Sequence, residues 1–508
     1  MVDLHVSGLG FPNLALLAVV SGIAYYAAWL AYNLFLHPLR AFPGPLLHRA
    51  SNLPRAYSIA TGRLGLQVAD LHRAYGAVVR IAPDELAFTD PQAWRDIYGH
   101  RAPSEPEFPK DAQFYRPIPA MPENIVSAQS REFHGALRRQ LAHGFSERSM
   151  RAQEPIIGGY VDLLIRRLRE NCSGPADGHN NQPPQAVDMR EWLNWCTFDV
   201  IGDLGFGSPF GCLKSGSYHP WVRRITETIR FGGVVSALMS VGGSALVQAL
   251  SRYGGMHSRD EHQKLTREKL LQRMELGAEA RPDFLEGLLR KQDELGLDLP
   301  SLQMNASLLI VAGSETTATL LSGATFLLLT NPDALARLTR EVRATFADDA
   351  EITLGSVGSL AYMLACLNES LRRYPPVVIG LPRLVPAGGA TVAGHAVPAG
   401  TRVAVWHYAA SHDPALWTDP MGFHPERFLG DPRFAGDVLD AMQPFSLGPR
   451  NCIGKNLAYA EMRLILAKIV YNFDMRIADE SRGWLTGQKA FALWDKPPLQ
   501  VYLTPVVR

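Results

Sequence analysis

The sequence predicts a mainly α-helical protein with a minor β region, preceded by a single N-terminal transmembrane helix. Three observations lead to this fold class: an uncharged N-terminal run, many segments with apolar residues three and four positions apart, and few strand-like segments. Helices are predicted at 131–143, 156–170, 189–204, 220–231, 262–274, 303–329, 332–346 and 359–374. Strands are predicted at 77–83, 390–400, 401–406 and 499–506, the second as a hairpin because of its two glycines and its proline.

Composition restricts the class of protein. The chain has 508 residues, of which 47% are hydrophobic and 19% charged, as expected of a folded protein with a large core. A formal net charge of +1 gives no bulk basicity, so no nucleic-acid partner is expected. Five scattered cysteines without a CxxC pair argue against a disulfide scaffold or a zinc ribbon. The polar stretch 171–185 predicts a surface loop between helices.

The N-terminal 46 residues predict a membrane anchor followed by a stiff link. Residues 14–36 contain no charge and are long enough to cross a hydrocarbon core of about 30 Å. A cleaved signal peptide is the alternative, but the run is too long and no basic segment precedes it. Arginines follow the run, so the positive-inside rule places the body in the cytosol. The expected organisation is an anchor at 1–37, a proline-rich hinge at 38–46 and one catalytic unit at 47–508.

The stretch FSLGPRNCIG, near the C-terminus, surrounds one cysteine with residues that suit a bound thiolate. Cys452 precedes an amphipathic helix, whose N-terminus lowers the pKa of a thiol, and a thiolate is one of the axial ligands of haem iron. Gly448 and Gly454 let the backbone approach a flat ring, Arg450 can reach a propionate carboxylate, and Phe445 can cover the sulfur. A core cysteine in a glycine-bearing turn is the alternative.

Glu369 and Arg372 lie three residues apart on a predicted helix, so their side chains share a face. Apolar neighbours favour a partly buried pair, which requires further partners. Arg427, in HPERFLG, is a candidate third member. The alternative is an ordinary ion pair on a solvated surface.

The long apolar helix at 303–329 carries a polar insertion, SETT, after Gly313. In the functional interpretation, Gly313 opens room above a cofactor, and Glu315 and Thr316 form a path for proton delivery. Hydroxyls that bond to the carbonyl four residues earlier also bend helices. The alternative is a helix that turns one hydrated face outward.

Taken together, these motifs resemble those of the cytochrome P-450 superfamily, in the family's order and over nearly the whole chain. FSLGPRNCIG matches its haem-binding pattern, ESLR its Glu-x-x-Arg motif, PERF its downstream arginine motif and AGSETT its oxygen-activating motif. The resemblance implies the cytochrome P-450 fold and haem b (iron protoporphyrin IX) with an axial thiolate from Cys452. It also implies O2 as co-substrate, and NADPH as the source of electrons through a separate flavoprotein reductase.

The resemblance also assigns residue roles. Glu369, Arg372 and Arg427 are expected to form a buried structural triad. Propionate contacts are expected from Arg450, Arg138, Arg383 and His134, the last where the family often has tryptophan. The substrate pocket is expected to contain Ala312, Gly313, parts of 103–125, residues 377–380 and the region near Phe491.

Finer features, among them LHPLRAFPGP and RIAPDELAFTD, are similar to the fungal microsomal branch of the family. They imply insertion of one oxygen atom into a small lipophilic metabolite, a fungal terpenoid or polyketide, at the endoplasmic reticulum membrane with the body in the cytosol. Two alternatives remain open. One is another haem-thiolate outcome (desaturation, epoxidation, coupling or oxygen-independent rearrangement), and the other is a membrane-anchored haem sensor. Substrate identity, regiochemistry, pathway and oligomeric state do not follow from these residues.

Overall fold

Helices make up most of the protein in the computed structural model, which describes residues 11–102, 104–116, 121–172, 185–252, 257–277 and 283–507. Most of the polar stretch 171–185 lies outside the described residues. The helices are α1 (Phe11–Phe35), α2 (Leu46–Ala50), α3 (Leu53–Ala60), α4 (Leu64–Tyr75), α5 (Gln92–Tyr98), α6 (Ala112–Tyr115), α7 (Arg131–Ala142), α8 (Glu147–Asn171), α9 (Met189–Phe206), α10 (Cys212–Ser215), α11 (Pro220–Ser240), α12 (Ser244–Arg252), α13 (His257–Glu275), α14 (Glu286–Arg290), α15 (Leu299–Leu329), α16 (Pro332–Thr345), α17 (Ala361–Arg373), α18 (His407–Ser411) and α19 (Lys455–Asn472).

The strands are short and form four small sheets. They are β1 (Val78–Ala82), β2 (Glu85–Phe88), β3 (Ala186–Asp188), β4 (Arg383–Leu384), β5 (Ala390–Val392), β6 (His395–Val397), β7 (Arg402–Val405), β8 (Phe473–Ile477), β9 (Lys489–Phe491), β10 (Leu493–Asp495) and β11 (Gln500–Pro505). The sheet orders are β1-β2-β7-β4, β3-β11-β8, β9-β10 and β5-β6. Only β2 and β7 pair in parallel, among the strands described. The mainly α prediction with a minor β region is confirmed.

Each of the eight predicted helices and four predicted strand segments coincides with an observed element, although several bounds differ. The central helix α15 begins at Leu299, because the Asp298 side chain accepts a hydrogen bond from the Ser301 amide at 2.9 Å. The predicted hairpin consists of β5 and β6, whose turn includes Gly394 at a φ of +79°. Strand β2 was missed, because it is buried on both faces and lacks the alternation that marks a half-buried strand.

Helix α15 forms the centre of the protein. It is apolar on almost every side, and a helix of this kind is stable only when other elements surround it. The largest core cluster joins it to α8, α9, α17 and α19, with Leu204, Leu328 and Ile465 fully buried. The cavity described below lies between α15 and the loop that leads into α19.

Helix α1 is exposed along most of its length, and Pro12–Phe35 is long and apolar enough to cross a membrane. Its C-terminal end is attached to the body. The Asn33 side chain donates to the Ala50 carbonyl at 2.8 Å, and the buried Arg80 guanidinium donates to the Asn33 carbonyl at 3.0 Å. The proline-rich segment packs on β1, since the Arg80 amide donates to the Pro43 carbonyl at 2.7 Å.

Candidate haem-thiolate site

A cavity, open to solvent on one side, separates α15 from the loop before α19; the empty space, with the solvent at its mouth, amounts to about 1420 Å³. Its wall on the α15 side includes Leu309, Ala312 and Thr316, and its opposite wall includes Phe445 and Cys452. Apolar side chains form most of the lining, and charged groups collect at one edge. A flat, lipophilic group with an acidic edge matches this distribution.

The loop that carries Cys452 has a tightly determined backbone. The Cys452 amide donates to the Phe445 carbonyl at 2.8 Å, which closes the loop on itself. Gly448 has a φ of +74°, and a Cβ at this position would collide with the Tyr98 carbonyl, so glycine is required twice over. The Phe445 ring packs against Tyr459, with 5.3 Å between ring centroids, beside the cavity.

The Cys452 sulfur faces the cavity just before α19 begins. Burial raises the pKa of the thiol, whereas a hydrogen bond from the Gly454 amide and the charges of Arg138 and Lys455 act in the opposite direction. A Cβ at Gly454 would lie 4.0 Å from the sulfur, so the backbone comes close to it. An ionised sulfur here therefore gains from a cation in the cavity, which is what haem iron supplies.

Basic side chains from four parts of the chain meet at one edge of the cavity: Lys110, Arg138, Arg383 and Arg450. Arg138 donates to the Asn451 carbonyl at 2.6 Å, and Arg383 to the Phe108 carbonyl at 3.0 Å. Of these four, only Arg450 forms an ion pair with a described carboxylate, that of Glu107 at 3.2 Å. The edge therefore carries more positive charge than the described residues neutralise.

Burial and the positive charge at this edge lower the pKa of two neighbouring groups, His134 and Lys110. Burial and the charges of Arg450, Lys110, Arg138 and Arg383 lower the pKa of His134 to about 3. Burial, then Arg383 and Arg450, lower the pKa of Lys110 to about 6. Two carboxylates placed at this edge would relieve both effects, and haem carries two propionates. The residues present fit haem in charge, in shape and in the thiol opposite α15.

Lys110 and Tyr115 belong to this edge, and the sequence reasoning missed both. They line the cavity, and Tyr115 is hydrogen-bonded to the Arg383 side chain. The stretch 103–125 was expected to contribute to the pocket, but neither residue type carried a signal by itself. Phe491, also expected in the pocket, is absent from the described lining, whereas Val377 is present.

The structure brings Glu369, Arg372 and Arg427 into direct contact in a fully buried position. Arg372 Nη2 donates to Glu369 Oε1 at 2.7 Å, and Arg427 Nε lies 3.1 Å from Glu369 Oε2. Arg427 also pairs with Asp437, which the sequence reasoning did not identify. The alternative of a solvated surface pair does not fit side chains with 0% exposure.

Thr316 lies in the cavity wall, where its hydroxyl donates to the Ala312 carbonyl at 2.6 Å. Glu315 does not accompany it. Its carboxylate pairs with the buried Lys496 and accepts from Thr319 at 3.5 Å, outside the described lining of the cavity. Consecutive residues point about 100° apart on a helix, so the two cannot share one face. The expected proton path through Glu315 and Thr316 is not formed in this structure, because the Glu315 carboxylate is paired with Lys496.

Gly313 has a packing role in addition to the one expected. A Cβ there would lie 2.6 Å from the Ile201 Cδ1 atom of α9, so glycine allows α9 to pack closely on α15. Gly313 also lines a smaller cavity next to the main one, and Thr316 and Cys452 line that smaller cavity as well.

A buried acid next to the site was missed entirely. Glu461 lies on α19 with 1% exposure, and its Oε2 has no hydrogen-bond partner among the described groups. Burial raises its pKa to about 8, although a hydrogen bond with Thr317 acts in the opposite direction. In the sequence, Glu461 belongs to the same predicted helix as the apolar stripe that follows Cys452, but no sequence pattern indicated that its side chain is buried.

Comparison with known proteins identifies the family. A family model described as Cytochrome P450 matches residues 43–502. The chain is 50% identical to "Cytochrome P450 monooxygenase tpeC" of Talaromyces stipitatus over 494 residues, covering 97% of this chain and 95% of the relative. It is 43% identical to "Averantin hydroxylase" of Dothistroma septosporum over 494 residues, covering 96% of this chain and 91% of the relative.

A third relative is "Trichothecene C-15 hydroxylase" of Fusarium sporotrichioides, 43% identical over 491 residues, covering 96% of this chain and 97% of the relative. The matches therefore extend over both the cavity and its surroundings. This chain belongs to the cytochrome P450 family, and it is a haem-thiolate monooxygenase of lipophilic metabolites that takes its electrons from NADPH through a reductase.

Proposed function

We propose that the chain hydroxylates a fungal secondary metabolite, a terpenoid or a polyketide, inside the cavity between α15 and Cys452. The observation that carries the proposal is a thiol facing a largely apolar cavity whose other wall presents the Thr316 hydroxyl. The names of two relatives, a trichothecene hydroxylase and an averantin hydroxylase, support the substrate class.

Haem, when bound, supplies the iron at which O2 is activated. Cys452 would hold that iron through its sulfur, and the Gly454 amide would stabilise the thiolate through its hydrogen bond. Arg138, Arg383 and Arg450 would bind the propionates, with His134, Lys110 and Tyr115 beside them. The role of Phe445 is to cover the sulfur and keep water from it. Glu369, Arg372 and Arg427 hold the structure behind the cofactor.

Thr316 delivers protons on the substrate side of the cavity. Its hydroxyl is already fixed by the Ala312 carbonyl, so it presents a defined oxygen to the cavity. The Glu315 carboxylate is paired with Lys496 in this conformation. Glu315 therefore supplies protons to Thr316 only after this ion pair has opened. The apolar walls exclude bulk water, which strengthens these hydrogen bonds.

The chain is anchored by α1 in the membrane of the endoplasmic reticulum, with the body in the cytosol. The exposed apolar surface of Pro12–Phe35 and the arginines that follow it support this arrangement. Residues 1–37 form the anchor, 38–46 the proline-rich hinge and 47–508 the catalytic unit. A cytosolic body can meet a membrane-bound flavoprotein reductase.

The test uses the full chain in microsomes with its reductase. A red-shifted Soret band in the reduced, CO-bound protein is expected, and Cys452→Ala should abolish it without removing the polypeptide. Oxygenated product should appear only with NADPH and O2, and a comparison of metabolites with and without the chain should reveal the substrate. Product formed without O2 would indicate a rearrangement, and binding without turnover would indicate a sensor. A normal band from Cys452→Ala would disprove the ligand assignment.

A further inference from the structure

One stretch of the cavity lining is held by main-chain hydrogen bonds on several sides. Residues 124–129, here called the wall segment, place the side chains of Ile125 and Val126 in the cavity. Within the segment, the Asn124 side chain accepts from the amides of Val126 and Ser127, both at 2.9 Å. The segment is thus a small rigid turn. Its side chains move only when the whole turn moves.

Three of its outside hydrogen bonds come from two residues at the basic edge of the cavity. Arg450 donates to the Ala128 and Gln129 carbonyls at 2.7 and 3.0 Å, and Lys110 donates to the Val126 carbonyl. The Gln129 amide also donates to Glu123 at 3.4 Å. None of these hydrogen bonds is made to α15.

A direct hydrogen bond between the wall segment and α15 is made by Asn305, a residue of α15 with 0% exposure. Its Oδ1 accepts a hydrogen bond from the Ile125 amide at 3.0 Å, and its Nδ2 donates to the Ser301 carbonyl at 2.9 Å. The second bond fixes the orientation of the carboxamide, so that the oxygen points at the wall segment. An apolar side chain of the same size would leave the Ile125 amide buried and unpaired.

We propose that Asn305 is a positioning residue that holds the wall segment against α15 and thereby sets the size of the substrate space. The proposal rests on the proposed use of this cavity for haem and substrate. Without Asn305 the hydrogen bonds that remain to the segment come from Arg450, Lys110 and Glu123, none of them on α15, so Ile125 moves relative to Leu309 and Ala312 on α15. Large ligands should sense that movement, and small ones bound at the iron should not.

The test compares three variants of the holoprotein. Asn305→Leu removes both hydrogen bonds, and Asn305→Asp, assayed at mildly acidic pH, keeps an acceptor and, as a neutral buried acid, a donor. Gln303→Leu is the matched control: Gln303 is buried two residues earlier on α15, but its amide donates to the Gln263 carbonyl of α13 at 2.6 Å and not to the wall segment.

The probes are imidazole, which is small, and clotrimazole, which is large enough to reach the wall; both shift the Soret band when they bind haem iron. Asn305→Leu should raise the Kd of clotrimazole by up to about fivefold, the free energy of one hydrogen bond, because the large ligand must then order the wall segment as it binds. The Kd of imidazole should be unchanged. Hydrogen exchange of the Ile125 amide should also accelerate. Asn305→Asp should restore both properties, and Gln303→Leu should alter neither.

Equal clotrimazole affinity and equal Ile125 exchange in Asn305→Leu would overturn the proposal. If Asn305→Leu yields no holoprotein, hydrogen exchange of the Ile125 amide is measured in the unaltered protein and in Asn305→Asp. Rapid exchange in the unaltered protein overturns the proposal. Slow exchange in both proteins supports it. Failure of the proposed function is distinguishable, because the unaltered protein would then show no red-shifted CO band and no Soret shift with either azole.

Discussion

Replacing Arg372 with alanine removes a guanidinium whose five N–H groups are all used. Nε and Nη2 donate to the two Glu369 oxygens at 2.8 and 2.7 Å. The remaining three bonds reach the carbonyls of Ser411, Pro420 and Gly422 at 2.8, 2.8 and 2.9 Å. The guanidinium thus joins α17 to the end of α18 and to the loop that contains Pro420 and Gly422.

The cost can be estimated from what is left behind. Glu369 keeps Arg427 at 3.1 Å and the His424 amide at 2.9 Å, so the loss of its ion pair costs about 3 kcal/mol, the lower end of the usual range. Of the three carbonyls left unpaired, the buried one of Ser411 adds about 1 kcal/mol, and the part-buried ones of Pro420 and Gly422 add about 1 kcal/mol or less each. The sum, roughly 4 to 6 kcal/mol, approaches the whole stability of many domains, so we expect little folded holoprotein. Lysine offers three donors instead of five and should rescue only partly.

The assay measures haem per polypeptide from the reduced, CO-bound spectrum, together with the temperature at which Soret absorbance is lost. Arg433→Ala is the control, because its ion pair with Asp431 lies at the surface with 64% of the arginine side chain exposed. The control should retain normal haem content. Recovery of Arg372→Ala with normal haem content and normal thermal stability would refute the reasoning.

Three further predictions concern catalysis, pH and topology. Thr316→Ala should bind haem and substrate normally but divert NADPH electrons to hydrogen peroxide, lowering product per NADPH about tenfold or less, since water partly replaces the hydroxyl; unchanged coupling would exclude it as the relay. Glu461 contributes stability that is present below its ordinary pKa of 4.5 and lost as the pH rises through about 8. Glu461→Gln should therefore flatten the decline in the temperature of Soret loss from mildly acidic to mildly alkaline pH, and an unchanged decline would contradict the assignment. The Asn-X-Ser sequons should be unglycosylated in microsomes, and a glycosidase-sensitive mass shift would contradict the cytosolic orientation; the sequons are at Asn171, Asn305 and Asn368.

The sequence was most informative where the chemistry is local. Cys452 and its loop are read from ten consecutive residues, and Glu369 and Arg372 share a helical face by spacing alone. Arg427 comes from a distant segment and could be associated with the pair only through the family motif. The long helices were predicted because their apolar pattern repeats over several turns, whereas buried strands such as β2 carry no alternation.

What the sequence did not predict depends on neighbours from other elements. Gly313 was expected to open space beside the cofactor and lines a cavity with Cys452, but its close packing against Ile201 of α9 was not predicted. Lys110 and Tyr115 join the cavity edge through a long loop that has no periodic pattern. The orientation of Glu315 could have been predicted, because helix geometry alone indicates that Glu315 and Thr316 point in different directions. Its partner Lys496 could not, because it lies 181 residues away in the chain.

The attachment of α1 to the body has a practical consequence for making a soluble form of the protein. Arg80 has 0% exposure and donates one of its hydrogen bonds to the Asn33 carbonyl, and the Asn33 side chain donates to the Ala50 carbonyl. A chain cut within the proline-rich segment would leave the guanidinium and that carbonyl without these partners. A cut a few residues before Asn33 removes most of the lipophilic surface and keeps both bonds, so the last turn of the anchor is best treated as part of the folded enzyme.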